Sequence, residues 1–292
     1  MRAVVFGASG VIGRALLPEL ARRHDVVAVS RRARTSAEGL VWASADVTDA
    51  DSVARLLRED DVLVYLVHSL GTADFEDVDR LAADNVAAAA GQARARQIVY
   101  LGGLGDAAET ESAHLRSRAE TGRRLADGPV PVTTLRAGMV VGPGSAAFET
   151  IRALVDRLPA MICPRWVSTP TQPIALRDVV LYLAAVCGLE AAYGESFDVG
   201  GPEVMTYREM IERIARIRGK RLPIVEVPVL TPRLSSWWLH LVTPVNASVA
   251  RPLIDGLRTP TIVRDDGRIR ELVPIDLTPF DDAVRDALRA GR

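Results

Sequence analysis

The sequence predicts a doubly wound α/β protein, in which helices cover both faces of a parallel sheet, with a smaller C-terminal lobe. Short apolar runs alternate with amphipathic helical patterns through the first two thirds of the 292-residue chain. Buried parallel strands have this appearance. A glycine-rich stretch, residues 7–13, joins the first run to the first helical pattern, and prolines interrupt the last third. This length accommodates one large domain or a domain with a smaller lobe.

The elements are predicted from periodicity and from residues that begin or end them. Short apolar, β-type runs predict strands at Ala3–Phe6, Val26–Val29, Leu40–Trp42, Val62–Val67, Gln97–Leu101, Val132–Leu135 and Ser196–Val199. Helical patterns lie at Val11–Arg23, Asp49–Arg58, Phe75–Ala95, Ser112–Ala126, Arg177–Gly188, Thr206–Gly219 and Pro279–Ala290. Thr48 is the expected N-cap of the second helix.

The glycine-rich stretch predicts a site for a dinucleotide. It follows a strand and opens a helix, so the free N–H groups and the positive dipole end of that helix face whatever lies over the turn. Glycine lets the backbone turn sharply and approach a ligand closely. The alternative is a structural turn without a ligand. The residues expected to hold the pyrophosphate are Gly7, Ser9, Gly10, Val11, Ile12 and Gly13.

The end of the second predicted strand favours NADP over NAD. A site for NAD usually places a carboxylate there, bonded to the ribose 2′-hydroxyl. The sequence reads Ser30-Arg31-Arg32 and contains no acid at this point. Guanidinium groups bind phosphate in a forked, charge-assisted geometry. Arg31 and Arg32 are therefore expected to hold a 2′-phosphate, unless they are a solvated pair on a loop.

Composition excludes several classes of protein. The formal net charge is −1, which gives no electrostatic argument for nucleic acid or an anionic membrane as partner. No apolar run approaches the length of a membrane span. The first strand begins at once, which leaves no room for a cleaved signal, and Cys163 and Cys187 suit a reducing compartment. We expect a cytoplasmic protein; the sequence does not specify its oligomeric state.

Several motifs resemble the short-chain dehydrogenase/reductase superfamily, particularly its extended and atypical branches. They include the glycine stretch and the segments Arg136–Gly144, Gln172–Ile174 and Phe197–Gly201. The runs 65–69 and 100–104 resemble NmrA-like and respiratory-complex-subunit-like NAD(P)H-binding proteins. The resemblance covers about residues 1–220. It implies a Rossmann domain over residues 1–160 and a substrate lobe over residues 161–292, with residues 174–200 returning to the sheet. It also implies that Asp46 and Val47 hold the adenine.

The chain departs from this superfamily in the catalytic set. The superfamily places a serine after the fifth strand and a Tyr-x-x-x-Lys motif on the next helix. Here Gly102-Gly103 occupies the serine region, while His114 and Arg118 take the places of tyrosine and lysine. The usual proton-transfer mechanism therefore cannot be carried over.

Histidines offer an alternative source of a proton. His114 and Arg118 are four residues apart, so they share a helix face. A histidine can donate a proton near pH 7, so His114 is a candidate general acid, with an ordinary helix histidine as the alternative. His68 ends the fourth strand, where open α/β sheets bind ligands. It either contacts cofactor or substrate, or bonds to a loop backbone.

The last third contains candidates for the wall of a substrate pocket. Trp237, Trp238 and His240 lie in an apolar run between prolines, which is typical of a helix over an apolar pocket, of a core element or of a partner surface. Arg165-Trp166 and residues 169–172 are further candidates for the cleft between lobe and sheet. If these residues line the site, the substrate is bulky and apolar.

Together these features predict an NADP-dependent oxidoreductase that transfers a hydride to a carbonyl or activated alkene of an apolar substrate. His114 or His68 would supply the proton, and Arg118 would orient the ribose or the nicotinamide amide. The rival is a catalytically inactive NADP(H)-binding redox sensor or assembly protein, because the serine, tyrosine and lysine are missing. A sugar-nucleotide epimerase or dehydratase would need the tyrosine base.

Overall fold

A seven-stranded parallel sheet forms the centre of the molecule. The computed structural model describes residues 1–32, 34–36, 40–69, 74–105, 112–227 and 256–290. The strands are β1 (Arg2–Phe6), β2 (Asp25–Ser30), β3 (Leu40–Ser44), β4 (Val62–Tyr65), β5 (Gln97–Gly103), β6 (Val132–Ala137), β7 (Val140–Val141), β8 (Met161–Pro164), β9 (Pro170–Thr171), β10 (Ile174–Ala175), β11 (Ser196–Val199), β12 (Met205–Thr206) and β13 (Ile224–Val227). The main sheet has the order β11-β6-β5-β4-β1-β2-β3. The predicted fold class is confirmed.

The strand order creates a crevice next to β1. The chain starts at β1, adds β2 and β3 on one side, and then returns to add β4 on the other side. Phe6, at the end of β1, pairs with Val29 of β2 and with Tyr65 of β4. Open α/β sheets bind ligands outside the carboxyl strand ends at such a reversal. The glycine turn, which follows Phe6 directly, therefore lies at this point.

Helices cover both faces of the sheet. They are α1 (Val11–Leu20), α2 (Ala50–Ala54), α3 (Phe75–Ala93), α4 (Ala113–Ala126), α5 (Ala146–Arg157), α6 (Leu176–Val186), α7 (Tyr207–Ile217), α8 (Gly267–Leu272) and α9 (Phe280–Ala290). The expected N-cap of α2 is wrong by one residue. Asp49 caps this helix, since its side chain accepts hydrogen bonds from the backbone N–H groups of Asp51 and Ser52. The Thr48 hydroxyl instead donates to the carboxylate of Asp46.

Three apolar cores hold these layers together. On one face of the sheet, α1 and α6 bury Leu16 and Leu183; on the other, α3 and α4 bury Val86 and Leu125. The third core joins α5, α7 and α9, where Phe148 is fully buried. This third core draws residues from both sides of position 160, and the division into domains at that position stays a prediction.

Short strands connect the third core to the main sheet. β7 pairs with β10 in parallel, and β9 pairs with β12 in antiparallel orientation.

No helix within the described ranges is long and apolar enough to cross a membrane. Trp237, Trp238 and His240 lie outside the described residues, so the prediction for that run stays a prediction.

Candidate cofactor and active site

A cavity of about 440 Å³ runs along the carboxyl ends of the central strands. Its lining includes the glycine turn and the polar side chains of His68, His114 and Arg118. Apolar residues make up much of the rest of the wall, including Leu66, Leu101, Leu104, Leu115, Met139, Val140 and Leu257. The cavity is therefore a largely apolar cleft with one backbone-lined segment and one polar cluster.

The glycine turn is built so that its helix opens directly onto this cavity. Gly7 has φ of +81°, and the Gly10 N–H donates to the Gly7 carbonyl over 2.9 Å. A Cβ on Gly13 would lie 2.5 Å from the Gly7 carbonyl oxygen, so only glycine fits there. Gly10 is the N-cap of α1 and provides no capping side chain. The first N–H groups of the helix thus remain available to an anion.

This geometry fits the pyrophosphate of a dinucleotide. Five of the six residues expected to hold it line the cavity, namely Gly7, Gly10, Val11, Ile12 and Gly13. Ser9 lies in the same turn, half-buried, but outside the cavity wall.

Arg31 and Arg32 lie outside the cavity, on the surface beyond β2. Their backbone is fixed by two serine hydroxyls: Ser30 donates to the Arg32 carbonyl over 2.6 Å, and Ser44 donates to the Arg31 carbonyl over 3.2 Å. The side chains are exposed. An extended dinucleotide with its pyrophosphate at the glycine turn would place its adenosine end on this side of the sheet.

Asp46 and Val47 follow β3 next to these arginines. Hydrogen bonds from the backbone and hydroxyl of Thr48, and then the charge of Arg31, hold the pKa of Asp46 below its usual value. The Val47 carbonyl accepts a hydrogen bond of 3.0 Å from the Asn85 amide on α3. These bonds fix the loop beside the expected adenosine end; neither residue lines the cavity itself.

The structure brings His68, His114 and Arg118 together, although they come from two separate segments. The two imidazole centroids are 6.4 Å apart, with the rings inclined at 64°. The Arg118 guanidinium donates from Nη2 to the Leu101 carbonyl, while its buried Nε has no hydrogen-bond partner among the described residues. An N–H group of this kind at the wall of a cavity is suited to an acceptor on a ligand.

Gly103, in the region where the resemblance implies a serine, packs against α4. A Cβ on Gly103 would lie 3.3 Å from a Leu115 methyl and at an ordinary contact distance of 3.6 Å from Arg118 Nε. A larger side chain there would therefore press mainly on Leu115.

Both histidines are neutral at pH 7. Burial and then the charge of Arg118 lower the pKa of His114 to about 3, with a further contribution from His68. The same two causes lower the pKa of His68 to about 4. His68 is nevertheless exposed through the open cleft, so solvent weakens this pKa shift more at His68 than at half-buried His114.

Acid should destabilise the fold through His114. Its folded pKa lies below the unfolded value, so the stability that the neutral ring contributes is complete above about pH 6.5 and is lost as pH falls towards 3. Because His114 is only half-buried, solvent screens part of this effect. Lowering the pH from 7 to 5 should therefore lower the free energy of unfolding by about 1 kcal/mol more in wild type than in His114→Gln. Urea unfolding at both pH values measures this. Equal losses in the two proteins would contradict the low pKa.

Hydroxyl groups of two residues that the sequence did not single out also lie at the cavity wall. Tyr207 and Thr261 line the cavity, whereas Thr171, from the predicted segment 169–172, does not. The Thr261 and Thr171 hydroxyls bond to each other over 2.7 Å, and both bond to the Tyr207 hydroxyl. Burial raises the pKa of Tyr207, so this phenol keeps its proton. These positions are far apart in the sequence, and only the fold brings them together.

The other candidates from the cleft do not line the cavity. Trp166 packs edge-on against Tyr207, with ring centroids 6.2 Å apart, and so supports the wall from behind. In the described part of the chain, no group of three or more His, Cys, Asp or Glu side chains is arranged to hold a metal ion.

Comparisons with known proteins agree with the geometry. Residues 7–128 match a family model described as NAD(P)H-binding. The chain is 23% identical over 225 residues to the mitochondrial NADH dehydrogenase [ubiquinone] 1 alpha subcomplex subunit 9 of Arabidopsis thaliana. That match covers 72% of this chain and 56% of the relative, so it spans little more than half of the plant protein.

A second relative and a solved structure match over more of their length. The chain is 27% identical to a (4-alkanoyl-5-oxo-2,5-dihydrofuran-3-yl)methyl phosphate reductase of Streptomyces griseus, over 77% of each chain. The crystal structure of the Citrobacter sp. triphenylmethane reductase complexed with NADP(H) has 18% sequence identity and a TM-score of 0.76. It covers 98% of this chain and 99% of that chain.

The structural match and the family model concern different features of the molecule. The structural match, at 18% identity, concerns the fold, while the family model concerns the part that contains the glycine turn, both histidines and Arg118. The predicted resemblance to NAD(P)H-binding proteins is confirmed at this level: residues 7–128 match the NAD(P)H-binding family model, and the parallel sheet has a Rossmann-like strand order.

Proposed function

We propose that the protein is an NADP(H)-dependent reductase that acts on a carbonyl or activated alkene of an uncharged, apolar substrate. One observation carries the proposal: the uncapped helix at the glycine turn and the His68–His114–Arg118 group line the same apolar cavity. A dinucleotide with its pyrophosphate at the glycine turn would direct its nicotinamide along this cavity towards the polar side chains. Bound NADPH would supply the hydride.

The preference for NADP rests on the surface beyond β2. The described residues there include Arg31 and Arg32, both exposed, with no carboxylate at the end of the strand. A 2′-phosphate would receive charge-assisted hydrogen bonds from this pair. The structural neighbour crystallised with NADP(H) is in keeping with this choice.

His114 and His68 would stabilise charge on the substrate oxygen. Because their pKa values lie far below 7, little imidazolium is present at neutral pH. We therefore assign them the role of neutral N–H donors, which polarise a carbonyl oxygen where negative charge develops. The cleft is open to solvent at His68, which gives the final proton a path to the product oxygen. Arg118 would use its unpartnered Nε–H to orient a ribose hydroxyl or amide oxygen.

Substitution of His114 tests this role. His114→Phe keeps a ring of similar size but removes the N–H donor, so kcat should fall about 100-fold while NADPH affinity changes little. Steady-state kinetics together with NADPH fluorescence titration separate the two effects. His24→Phe, remote from the cavity, is the matched control. Full turnover in the His114 variant would remove it from the mechanism.

The substrate class follows from the cavity wall. Arg118 is the only side chain among its described lining residues that carries a full charge at pH 7. An uncharged, largely apolar molecule is thus the best match. NADPH absorbance should be followed against a panel of apolar ketones, enones and quinones. Oxidation of NADPH by at least one class supports the proposal, and binding without oxidation across the panel contradicts it.

A non-catalytic role is the second candidate. Glycines occupy the serine region, and one relative is by its printed name a subunit of NADH dehydrogenase. A redox sensor or assembly protein would need only to bind NADP(H) and a partner. Tight binding of both cofactor forms, unequal affinities and no turnover across the panel would favour this role.

A further inference from the structure

We infer that Asp79 balances the charge of Arg118 at the nicotinamide end of the cavity and thereby sets the relative affinity for oxidised and reduced cofactor. This inference rests on the proposed cofactor site but not on any turnover. Asp79 lies on α3 and is 4% exposed. It does not line the cavity, so it acts as a positioning and charge-balancing residue.

Two hydrogen bonds place the Asp79 carboxylate directly behind the polar cluster of the cavity. One oxygen accepts from the backbone N–H of Ser69 over 2.8 Å, and the other accepts from the Ser117 hydroxyl over 3.0 Å. Ser69 follows His68 in the chain, and Ser117 precedes Arg118. Asp79 therefore joins the two segments that carry the polar side chains of the site.

Burial and the neighbouring groups act in opposite directions on the charge of Asp79. Burial raises the pKa of this carboxyl above its usual value, and the hydrogen bonds from Ser117 and Ser69 and the charge of Arg118 limit that rise. A buried guanidinium without a counter-charge would be costly. The carboxylate supplies that counter-charge from outside the cavity, which leaves the cavity side of Arg118 to the ligand.

The charges of Asp79 and Arg118 should affect the binding of the two redox forms of the cofactor differently. The nicotinamide ring is positively charged in NADP⁺ and neutral in NADPH. A negative charge behind the site favours the oxidised ring, whereas the guanidinium disfavours it, and both charges act through a partly desolvated medium. The ratio of the two dissociation constants, Kd(NADP⁺)/Kd(NADPH), therefore reports the balance between Asp79 and Arg118.

The test is a double-substitution cycle with both cofactor forms at pH 8. Asp79→Asn should raise the ratio about three- to tenfold, and Arg118→Gln should lower it by a similar factor. The double variant should return close to the wild-type ratio, because the two charges act against each other. For a two-electron couple, a tenfold change in the ratio corresponds to about 30 mV in the potential of the bound cofactor.

Asp84→Asn is the matched control. Asp84 also lies on α3 and also contacts α4, through an ion pair of 2.7 Å with Arg124, but it is exposed on the surface. This variant should leave the ratio unchanged. Thermal unfolding of each variant shows whether a change in affinity comes from loss of the fold.

The outcomes separate this inference from the proposed function. If Asp79→Asn weakens both cofactor forms equally, Asp79 has only a structural role and the inference is wrong, while the cofactor site stands. If Asp79→Asn does not fold, Asp79→Ser is the second variant: a rise of the ratio supports charge balance, and an unchanged ratio overturns it. If wild type binds neither form, the proposed function and this inference fall together.

Discussion

Gly10→Ala should weaken NADPH binding strongly while leaving the fold intact. Gly10 has φ of −72°, which alanine adopts without strain, and an added Cβ would meet only the Gly7 carbonyl oxygen, at 3.2 Å. The methyl group would otherwise project into the space over the helix N-terminus. Displacing the pyrophosphate from two N–H groups should weaken binding roughly 100-fold. NADPH fluorescence titration and thermal unfolding measure the two quantities.

Gly13→Ala is the informative comparison for that variant. Its Cβ would lie 2.5 Å from the Gly7 carbonyl oxygen and 2.7 Å from Ala8 Cα, so the backbone of the turn must move. We expect a loss of about 3 kcal/mol in unfolding free energy as well as a loss of binding. Gly194→Asn is the control: Gly194 is exposed with no neighbour within 4 Å of an added Cβ, and asparagine is among the side chains that best tolerate its φ of +73°. Normal NADPH affinity in Gly10→Ala would show that the anion site lies elsewhere.

The second large effect is expected from substitution of the two arginines that follow β2, Arg31 and Arg32. Replacing Arg31 and Arg32 together by alanine should weaken NADPH binding about 100-fold and leave NADH binding nearly unchanged, since only NADPH carries a 2′-phosphate. Both side chains are exposed, so the fold should not be affected. Competitive titration of the two cofactors measures the change in preference.

The control for this pair is Arg22→Ala. Arg22 is also an exposed arginine, and its ion pair with Glu19 on α1 is confined to the surface. The Arg22→Ala variant tests whether the loss of any surface positive charge lowers NADPH affinity through long-range electrostatics. An equal loss of NADH and NADPH affinity in the double variant would mean that Arg31 and Arg32 do not contact the 2′-phosphate.

Local patterns were sufficient to predict most of the sheet and the cofactor turn. Buried parallel strands are short apolar runs, so β1 and β11 could be located within a residue. The glycine turn is encoded within seven consecutive residues, and its function depends on backbone groups rather than on distant side chains. Helix ends were less predictable. Thr48 and Asp49 are both good cap residues, so the sequence alone did not show that Asp49 is the N-cap of α2.

The polar cluster of the site could be predicted only in part. The sequence places His114 and Arg118 on one helix face, but it does not show that His68 lies beside them or that burial holds both rings neutral. In the sequence, Asp79 is one of several acidic residues in an amphipathic helical pattern. Its role depends on bonds to Ser69 and Ser117, ten and 38 positions away. Such long-range contacts and the desolvation they cause leave no local pattern.

Direct titration of the wild-type protein with NADPH and NADH, by calorimetry at pH 7.5, tests the central claim. The account predicts one dinucleotide bound per chain at the glycine turn, with NADPH at least tenfold tighter than NADH, as expected for charge-assisted bonds to a 2′-phosphate. Absence of heat with either cofactor at millimolar concentration would contradict the cofactor site, and tighter binding of NADH would contradict the assignment of Arg31 and Arg32.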